Sequence, residues 1–227
     1  MATDAPIRRK CAASEVNRIL LNTDPEYARA RSEIEDLTDV ETARGLAAAA
    51  PKVRTIPAVV HVVYKTAKQN ISEAQIKSQI NVLNEDFRRM NADASKVPAV
   101  FQPLHVDCNI QFKLATKDIF GNKTNGITRT KTQKSSFSFN DAVKSKDKGG
   151  ADPWPARRYL NIWVCNLGGG LLGYAQFPGG PTATDGVVIL NSAFGDTGTA
   201  TDPFDLGRTA THEVGHWLNL FHIWGDD

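Results

Sequence analysis

The sequence contains little sulfur, with 3 cysteines and 2 methionines in 227 residues. Three scattered cysteines are too few for a disulfide framework of the kind that holds small secreted domains together. Cys108 and Cys165 can pair with each other, or both can be small apolar side chains in a core. Stability must therefore come from a hydrophobic core, and a chain of this length can bury one sizeable core with room for a smaller appendage.

The sequence also lacks an excess of charge and a long apolar run. Its 27 Lys and Arg against 25 Asp and Glu leave a net charge of +2, which gives no case for a nucleic acid or an anionic membrane as the main partner. No apolar run approaches the roughly 20 residues that a membrane-spanning helix needs. We therefore expect neither a nucleic-acid partner nor a membrane partner.

The first 54 residues differ in composition from the rest of the chain. They are highly charged and carry helical patterns over residues 14–21 and 24–37, the second with Pro25 in its first turn. Residues 43–54 are small, basic and interrupted by proline, which predicts an accessible connection to the part that follows.

From residue 55 onward, strand patterns alternate with helix patterns, which predicts an α/β or α+β fold. Four apolar, mainly β-branched segments are predicted as strands: 56–64, 110–115, 159–164 and 187–190. The glycine-rich segment 168–177 is predicted as a short edge strand with a bulge.

Two helices are predicted in this second part. The first begins at a capping box at Ser72 and runs to about residue 89, with a buried stripe formed by Ile76, Ile80, Leu83 and Phe87. The second covers residues 206–218. Residues 135–150 are polar and rich in lysine, which predicts a solvated loop.

Three histidines and a glutamate near the carboxyl end have the spacing of a zinc site. His212 and His216 are four residues apart, so both lie on one face of a helix and can reach one ion. Glu213 projects beside that ion, where a carboxylate can take a proton from water. His222 is six residues beyond His216, so the chain must turn between them, and Asn219 readily accepts the left-handed backbone that such a turn needs.

Other interpretations of this motif remain open at the level of the sequence. The histidines can be satisfied in the core or on the surface of an ordinary helix. The site can belong to a zinc amidase that acts on small substrates. It can also belong to an inactive or truncated zinc domain that binds polypeptides without cleaving them. Glu213 argues against the last interpretation, because binding alone needs only the histidines.

The motif and its surroundings resemble the pappalysin family of metzincin zinc peptidases, close to its prokaryotic, ulilysin-like members. The residues that carry the resemblance cover nearly the whole chain: Arg9-Lys10-Cys11, segments 56–64, 160–164, 168–178 and 207–209, and the motif 212–222 with the following 223–226. The resemblance implies a latent zinc endopeptidase with protein or peptide substrates, with some members favouring Arg or Lys before the cut. It also implies a twisted, mostly parallel sheet and two helices above a horizontal cleft.

The resemblance assigns roles to particular residues. His212, His216 and His222 would hold Zn²⁺, and Glu213 would be the general base and acid. The edge strand would bind an extended substrate by strand addition, through Gly173, Tyr174, Ala175, Gln176 and Phe177. Family members commonly bind Ca²⁺ as well; residues 191–205 are rich in oxygen ligands, and a solvated loop is an equal alternative.

The resemblance also implies that residues 1–54 are a pro-segment and an intramolecular inhibitor of the catalytic domain, residues 55–227. Cys11 would bind the zinc in the latent form, because a thiolate is a better zinc ligand than water. Ala12 stands where the family usually has glycine, and a surface thiol is the alternative. Cleavage after Arg54 would activate the enzyme; an ordinary basic linker is the alternative there, and Arg44 lies in the same accessible region.

One feature departs from the resemblance. Metzincins carry a methionine-containing turn downstream of the third histidine, whereas this sequence has only Met1 and Met90 and ends five residues after His222. We therefore expect most of the lower subdomain to be absent from this chain. Residues 1–6 lack the apolar core of a signal peptide. Since proteases with broad access to substrates are usually exported, we expect a secreted protein whose signal has been removed.

Overall fold

The computed structural model describes residues 10–44 and 52–225; Arg9 and most of the expected connection lie outside the described residues. The described helices are α1 (Ala13–Thr23), α2 (Pro25–Ala43), α3 (Glu73–Phe87) and α4 (Arg208–Trp217). The described strands are β1 (Arg54–Tyr64), β2 (Ile110–Leu114), β3 (Ile127–Lys131), β4 (Leu160–Cys165), β5 (Gly173–Ala175) and β6 (Val187–Leu190). None of these helices has the length and apolarity needed to cross a membrane.

The strands form one sheet in the order β2-β1-β4-β6-β5, and β3 joins it by pairing with the second half of β1. All pairs are parallel except that of β5 with β6, so the expectation of a mostly parallel sheet in a mixed α/β fold is confirmed. β5 lies at the edge of the sheet, as the glycine-rich segment predicted. β3 was not predicted, because its sequence alternates polar and apolar residues too weakly to stand out.

The hydrophobic core forms where α3 packs on the sheet. β4 is buried over its whole length, as a central parallel strand with covered faces must be. The predicted stripe of α3 is buried in the same cluster. Ser72 caps α3 by accepting a hydrogen bond from the backbone N–H of Gln75, but the Gln75 side chain does not complete the predicted capping box. It donates instead to the carbonyl oxygens of Phe194 and Asn191.

The prediction of a solvated loop over residues 135–150 was right for about half of the segment and wrong for Phe137 and residues 142–144, which are buried. Phe137, Ala142 and Val143 belong to a second apolar cluster beside the sheet. The side chain of Lys144 is 1% exposed, and its ammonium group pairs with Asp141 at 2.8 Å. A buried ammonium group needs a partner of opposite charge, such as Asp141. Composition does not show whether a lysine has such a partner, so the polar sequence of this loop could not reveal that Lys144 is buried.

The two cysteines that could have formed a bridge do not do so. Cys165 is buried on β4, as expected of a small apolar residue, and burial raises the pKa of its thiol. Cys108 is exposed, which contradicts the expectation that both are buried.

Helices α1 and α2 contact each other and are joined at Asp24, whose side chain accepts from the backbone N–H groups of Glu26 and Tyr27 and so caps α2. Tyr27 is buried between the helices and donates to the Asn17 amide oxygen at 2.6 Å. Burial raises the pKa of Tyr27 to about 12, so this donor stays protonated over the physiological range.

His61 is a buried neutral imidazole in the middle of β1. Its Nε2 lies 3.0 Å from Asn161 Oδ1, which only accepts, so Nε2 carries the proton and Nδ1 accepts from the Thr128 hydroxyl at 2.8 Å. The ring stacks on Trp163 at 5.2 Å. Burial is the main cause that lowers the pKa of His61 to about 4.

This pKa predicts a pH dependence of folding. An unfolded histidine gains a proton near pH 6.5 but folded His61 does not, so its stabilising contribution is complete above pH 6.5 and is lost as the pH falls towards 4. The loss should reach about 3 kcal/mol of unfolding free energy. Urea denaturation between pH 7 and pH 4 measures it, with His61→Gln as the variant in which this contribution disappears. An NMR titration that places the pKa of His61 near 6.5 would contradict the assignment.

Candidate active site

Helix α4 is fixed at both ends. At its start, Arg208 donates to Asp93 at 2.7 and 3.2 Å and pairs with Asp86 of α3. One turn on, the Thr211 hydroxyl donates to Asp86 at 2.6 Å. At its end, the indole N–H of Trp217 donates to Asp185 at 2.6 Å. The residues of the motif therefore project from a helix whose position against α3 and the sheet is set by charged and polar contacts.

The three histidines of the motif converge on one point. The Nε2 atoms of His212, His216 and His222 are each 3.1 Å from the other two. His212 and His216 project from the same face of α4, and His222 returns from the segment that follows the helix. The structure therefore brings together the three imidazoles that the sequence singled out.

These donors suit a zinc ion. Nitrogens at about 2.05 Å from one tetrahedral ion lie about 3.3 Å apart, close to the separation of the three Nε2 atoms. The Nδ1 atom of His216 lies 2.7 Å from the carbonyl oxygen of Leu220, which only accepts, so the proton of a neutral His216 sits on Nδ1. Its Nε2 lone pair therefore points to the shared centre, the arrangement usual for a metal-binding histidine.

Asn219 makes the turn that returns His222 to the site. Its φ of 77° lies in the left-handed region, as predicted, immediately after the carboxyl end of α4. Backbone hydrogen bonds from Asn219 to His216 and from Leu220 to Gly215 close this turn. A residue with a branched Cβ would be strained in this conformation.

Cys11 and Glu213 complete the site. The Cys11 sulfur and one nitrogen from each of the three histidines all lie within 4.8 Å of one another. The sulfur is also 3.3 Å from Glu213 Oε2. Glu213 is fully buried beneath this group, on the side of α4 that faces β5. Among the residues described, this is the cluster of His, Cys, Asp and Glu side chains that could hold one ion.

Gly173 is required by the position of Glu213. A Cβ atom on Gly173 would meet the Glu213 side chain at 2.8 Å and the Val188 carbonyl oxygen at 2.9 Å, closer than such contacts are found. The edge strand can therefore approach the carboxylate only because this residue has no side chain.

The five residues expected to bind substrate are all buried. Tyr174 belongs to the second apolar cluster, where its ring lies 5.0 Å from the ammonium group of Lys144. Gln176 is bonded to the Pro181 carbonyl oxygen and the Thr184 hydroxyl. Only the ring of Phe177 faces the histidines, at 5.3 Å from His216. Strand addition at this edge would therefore depend on the backbone rather than on the Tyr174 or Gln176 side chain.

The N-terminal segment covers the edge of β5. The backbone N–H of Leu172 donates to the Lys10 carbonyl oxygen at 3.0 Å, and that of Ala12 donates to the Gly173 carbonyl oxygen at 3.2 Å. Cys11 pairs with Gly173 in a parallel bridge. The edge expected to receive an extended polypeptide is thus occupied by residues of the same chain.

Sequence reasoning missed Arg31 of α2, which contacts the turn at Asn219. The guanidinium donates to Asn219 Oδ1 and lies near the rings of Phe177 and Phe221. The hydrophobic pattern of α2 is weak, so nothing in the sequence marked this arginine among the charged residues around it.

The oxygen-rich segment 191–205 is tied to α3 rather than gathered around a point. Its backbone is held by Gln75, which donates to two of its carbonyl oxygens and accepts from the Thr199 N–H at 3.0 Å. The described residues of this segment contribute no side-chain cluster of the kind formed by the histidines.

Comparison with known proteins gives consistent relatives. No family model matches the chain. A mutant of Tannerella forsythia promirolysin is 51% identical, with a TM-score of 0.86 over 96% of this chain and 71% of that one. Mature mirolysin of the same organism, in complex with a cleaved peptide, is 60% identical, with a TM-score of 0.76 over 79% of this chain and 67% of that one. An extracellular metalloprotease of Pyricularia oryzae is 28% identical over 98% of this chain. The chain spans 66% of the length of that fungal protein.

Binding of a metal ion tests the four proposed ligands, Cys11 and the three histidines, without an assay of activity. The metal-free chain should bind one Co²⁺ ion, used as a coloured substitute for Zn²⁺, with a sulfur-to-metal charge-transfer band. Cys11→Ser should keep the ion and lose that band. His216→Gln should weaken binding by at least about 100-fold, because it removes a ligand rather than an outer contact.

His105→Gln is the matched control, because His105 lies outside the cluster. Titration followed by absorbance measures all four proteins. A charge-transfer band that persists in Cys11→Ser, or unchanged binding by His216→Gln, would rule out the proposed ligands.

Proposed function

The chain belongs to the pappalysin family of metallopeptidases, and on that premise we propose that it is a zinc-dependent endopeptidase in latent form. The observation that carries the proposal is the convergence of three imidazoles and a buried carboxylate under the thiol of Cys11. The protease names of the relatives do not favour a domain that binds polypeptides without cleaving them.

In the proposed reaction, His212, His216 and His222 would hold the ion. When bound, zinc lowers the pKa of water towards neutrality and polarises a carbonyl group. Glu213 accepts the proton of the attacking water and returns it to the leaving amine. The backbone of the β5 edge, from Gly173 to Phe177, orients an extended polypeptide by strand addition.

The proposed latency has two parts. The Cys11 thiolate would take the ligand position that water needs, and its sulfur contacts Glu213, the group that would accept the proton. Residues 10–12 also fill the edge of β5, so a polypeptide cannot pair there. Inhibitor and substrate therefore compete for the same ligand position and the same strand edge.

The proposal divides the chain into a pro-segment, residues 1–54, and a catalytic domain, residues 55–227. Activation would follow cleavage after Arg54, the first residue of β1, which is exposed and whose backbone pairs with β2. The substrates would be proteins or peptides, with Arg or Lys favoured before the cut. The extracellular name of the fungal relative supports secretion. The proposal includes Ca²⁺ in segment 191–205, where a solvated loop is the alternative.

Substitution of Cys11 should release activity. Cys11→Ala should raise cleavage of casein or an arginine-containing peptide by at least about tenfold, because a tethered ligand competes at an effective concentration in the millimolar range. Glu213→Ala, combined with Cys11→Ala, should lower that activity by about 10²- to 10⁴-fold.

Cys165→Ala is the control for loss of a thiol away from the histidines, since Cys165 is buried on β4. Each protein is assayed with its metal content measured. If Cys11→Ala binds zinc and folds but stays inactive, the part of the latency proposal that rests on the thiol fails.

Processing tests the activation site and its mechanism together. If maturation is autolytic, Glu213→Ala should remain uncleaved in isolation. The processed wild-type chain should begin at Thr55, and Arg54→Gln should slow processing by about tenfold or more if the cation selects the bond.

Arg44→Gln is the matched control, since Arg44 lies at the end of α2. Mass spectrometry identifies the new N-terminus. A terminus at residue 45 would move the activation site to Arg44, and normal maturation of Glu213→Ala would exclude autolysis.

A further inference from the structure

Lys144 is a buried cation that the proposed reaction does not use. Its side chain is 1% exposed, whereas Lys146, two residues later in the same loop, is exposed. Burial lowers the pKa of Lys144, and the negative charges of Asp141 and Asp185 oppose that shift. A buried ammonium group needs acceptors and opposite charges, so the groups around Lys144 show what it holds in place.

The ammonium group connects separate parts of the chain. It pairs with Asp141 at 2.8 Å and donates to the Thr184 carbonyl oxygen at 2.6 Å. It also lies 5.0 Å from the centre of the Tyr174 ring on β5 and 5.5 Å from that of the Trp163 ring on β4. Lys144 therefore joins its own loop and the backbone at Thr184 to side chains of two strands.

Thr184 belongs to a short segment, residues 181–185, that contacts both the residue after β5 and the end of α4. The Thr184 hydroxyl donates to Gln176 Oε1 at 2.5 Å. The next residue, Asp185, accepts from the indole N–H of Trp217 at 2.6 Å. The first three residues of the segment are exposed. Hydrogen bonds of its last two residues therefore tie this segment to the rest of the fold.

Trp217 links the segment to the candidate metal centre. It is the last residue of α4 and directly follows His216, whose Nε2 is one of the three converging nitrogens. Its ring packs against the main apolar cluster, and its N–H group is oriented by Asp185. A displacement of Asp185 would therefore displace the end of the helix that carries His216.

Stability alone does not require a cation at position 144. Replacing a buried ion pair with apolar groups of similar volume often leaves the free energy of unfolding unchanged or raises it. An apolar side chain, however, cannot hold the Thr184 carbonyl oxygen and the Asp141 carboxylate at hydrogen-bonding distance from one point. The ammonium group thus adds a defined position for the segment that bonds to Trp217.

We propose that Lys144 is a positioning residue of the candidate active site. It fixes the backbone at Thr184 and so the place of Asp185, and Asp185 holds the end of α4 where His216 reaches the ion. Lys144 acts through Asp185 and Trp217 rather than on the ion itself. The proposal rests on the proposed function, because it takes α4 to carry the ligands of a catalytic metal.

A double-mutant cycle with Co²⁺ tests the proposal on the full chain. Lys144→Met, which keeps the length of the side chain and removes its charge, should weaken Co²⁺ binding by about three- to tenfold. Asp185→Ala should weaken binding to a similar extent. The two substitutions together should be no weaker than Asp185→Ala alone, because both remove the same connection. The visible spectrum of the bound Co²⁺, which depends on ligand geometry, should shift in each variant.

Three further variants complete the cycle. Lys146→Met, the matched change at an exposed lysine of the same loop, should bind Co²⁺ like the wild type. Asp185→Asn keeps an oxygen that accepts from Trp217 and should bind within about twofold of the wild type. If Lys144→Met does not fold, Lys144→Met combined with Asp141→Asn replaces it, since this pair also removes the carboxylate that Lys144 neutralises. Urea denaturation of each protein separates loss of folding from loss of position.

Two results would overturn the proposal at the level of binding. One is an unchanged Co²⁺ affinity and spectrum in folded Lys144→Met, and the other is a double variant in which the losses from Lys144→Met and Asp185→Ala multiply. Failure of both Lys144 variants to fold would assign the residue to stability alone and would overturn the proposal as well.

Turnover separates this proposal from the proposed function. In a Cys11→Ala background with metal at saturation, Lys144→Met should lower kcat for peptide cleavage by about three- to tenfold. The expected Co²⁺ affinities without any peptide cleavage would support the positioning role and contradict the endopeptidase proposal. Peptide cleavage with kcat and Co²⁺ affinity unchanged by Lys144→Met would do the reverse.

Discussion

Three imidazole nitrogens held 3.1 Å apart constrain most of the structure around them. Two of them come from one face of α4, so that helix must be fixed along its length, and Arg208, Thr211 and Trp217 supply polar anchors at both ends. The third comes from beyond the helix, so the chain must reverse within a few residues. Asn219 makes that reversal at a φ of 77°. The sheet and α3 serve this geometry by giving α4 a rigid surface on which to lie.

The buried carboxylate adds a second constraint, because Glu213 needs room beside the sheet edge. Gly173 leaves that room by having no side chain. The same residue pairs with Cys11 through its backbone, so thiol, carboxylate and strand edge meet at one place. The close approach of β5 to α4 at Gly173 therefore places Glu213, the candidate general base, next to Cys11, the residue proposed to block it.

The sequence predicted correctly those features that depend on the local periodicity of the backbone. The spacing of His212 and His216, the stripe of α3 and the apolar strands all follow from backbone periodicity, and the structure contains each element. The errors share a different cause. Lys144 looks like a surface residue in sequence, but Asp141 and two aromatic rings compensate its burial. The side chain of Gln75 donates to a distant carbonyl group instead of completing the expected capping box. Arg31 donates to Asn219, which is 188 residues away in the sequence. Such pairings depend on tertiary contacts that no window of sequence contains.

Asn219 takes part in two interactions, one through its backbone and one through its side chain. Its backbone places His222 among the imidazoles, while its side-chain oxygen accepts from Arg31 of α2. An ion and a helix that both order the same turn are linked thermodynamically, so each must strengthen the binding of the other by an equal factor. The affinity of this protein for its ion is consequently also a measure of how tightly α1 and α2 bind to the rest of the chain.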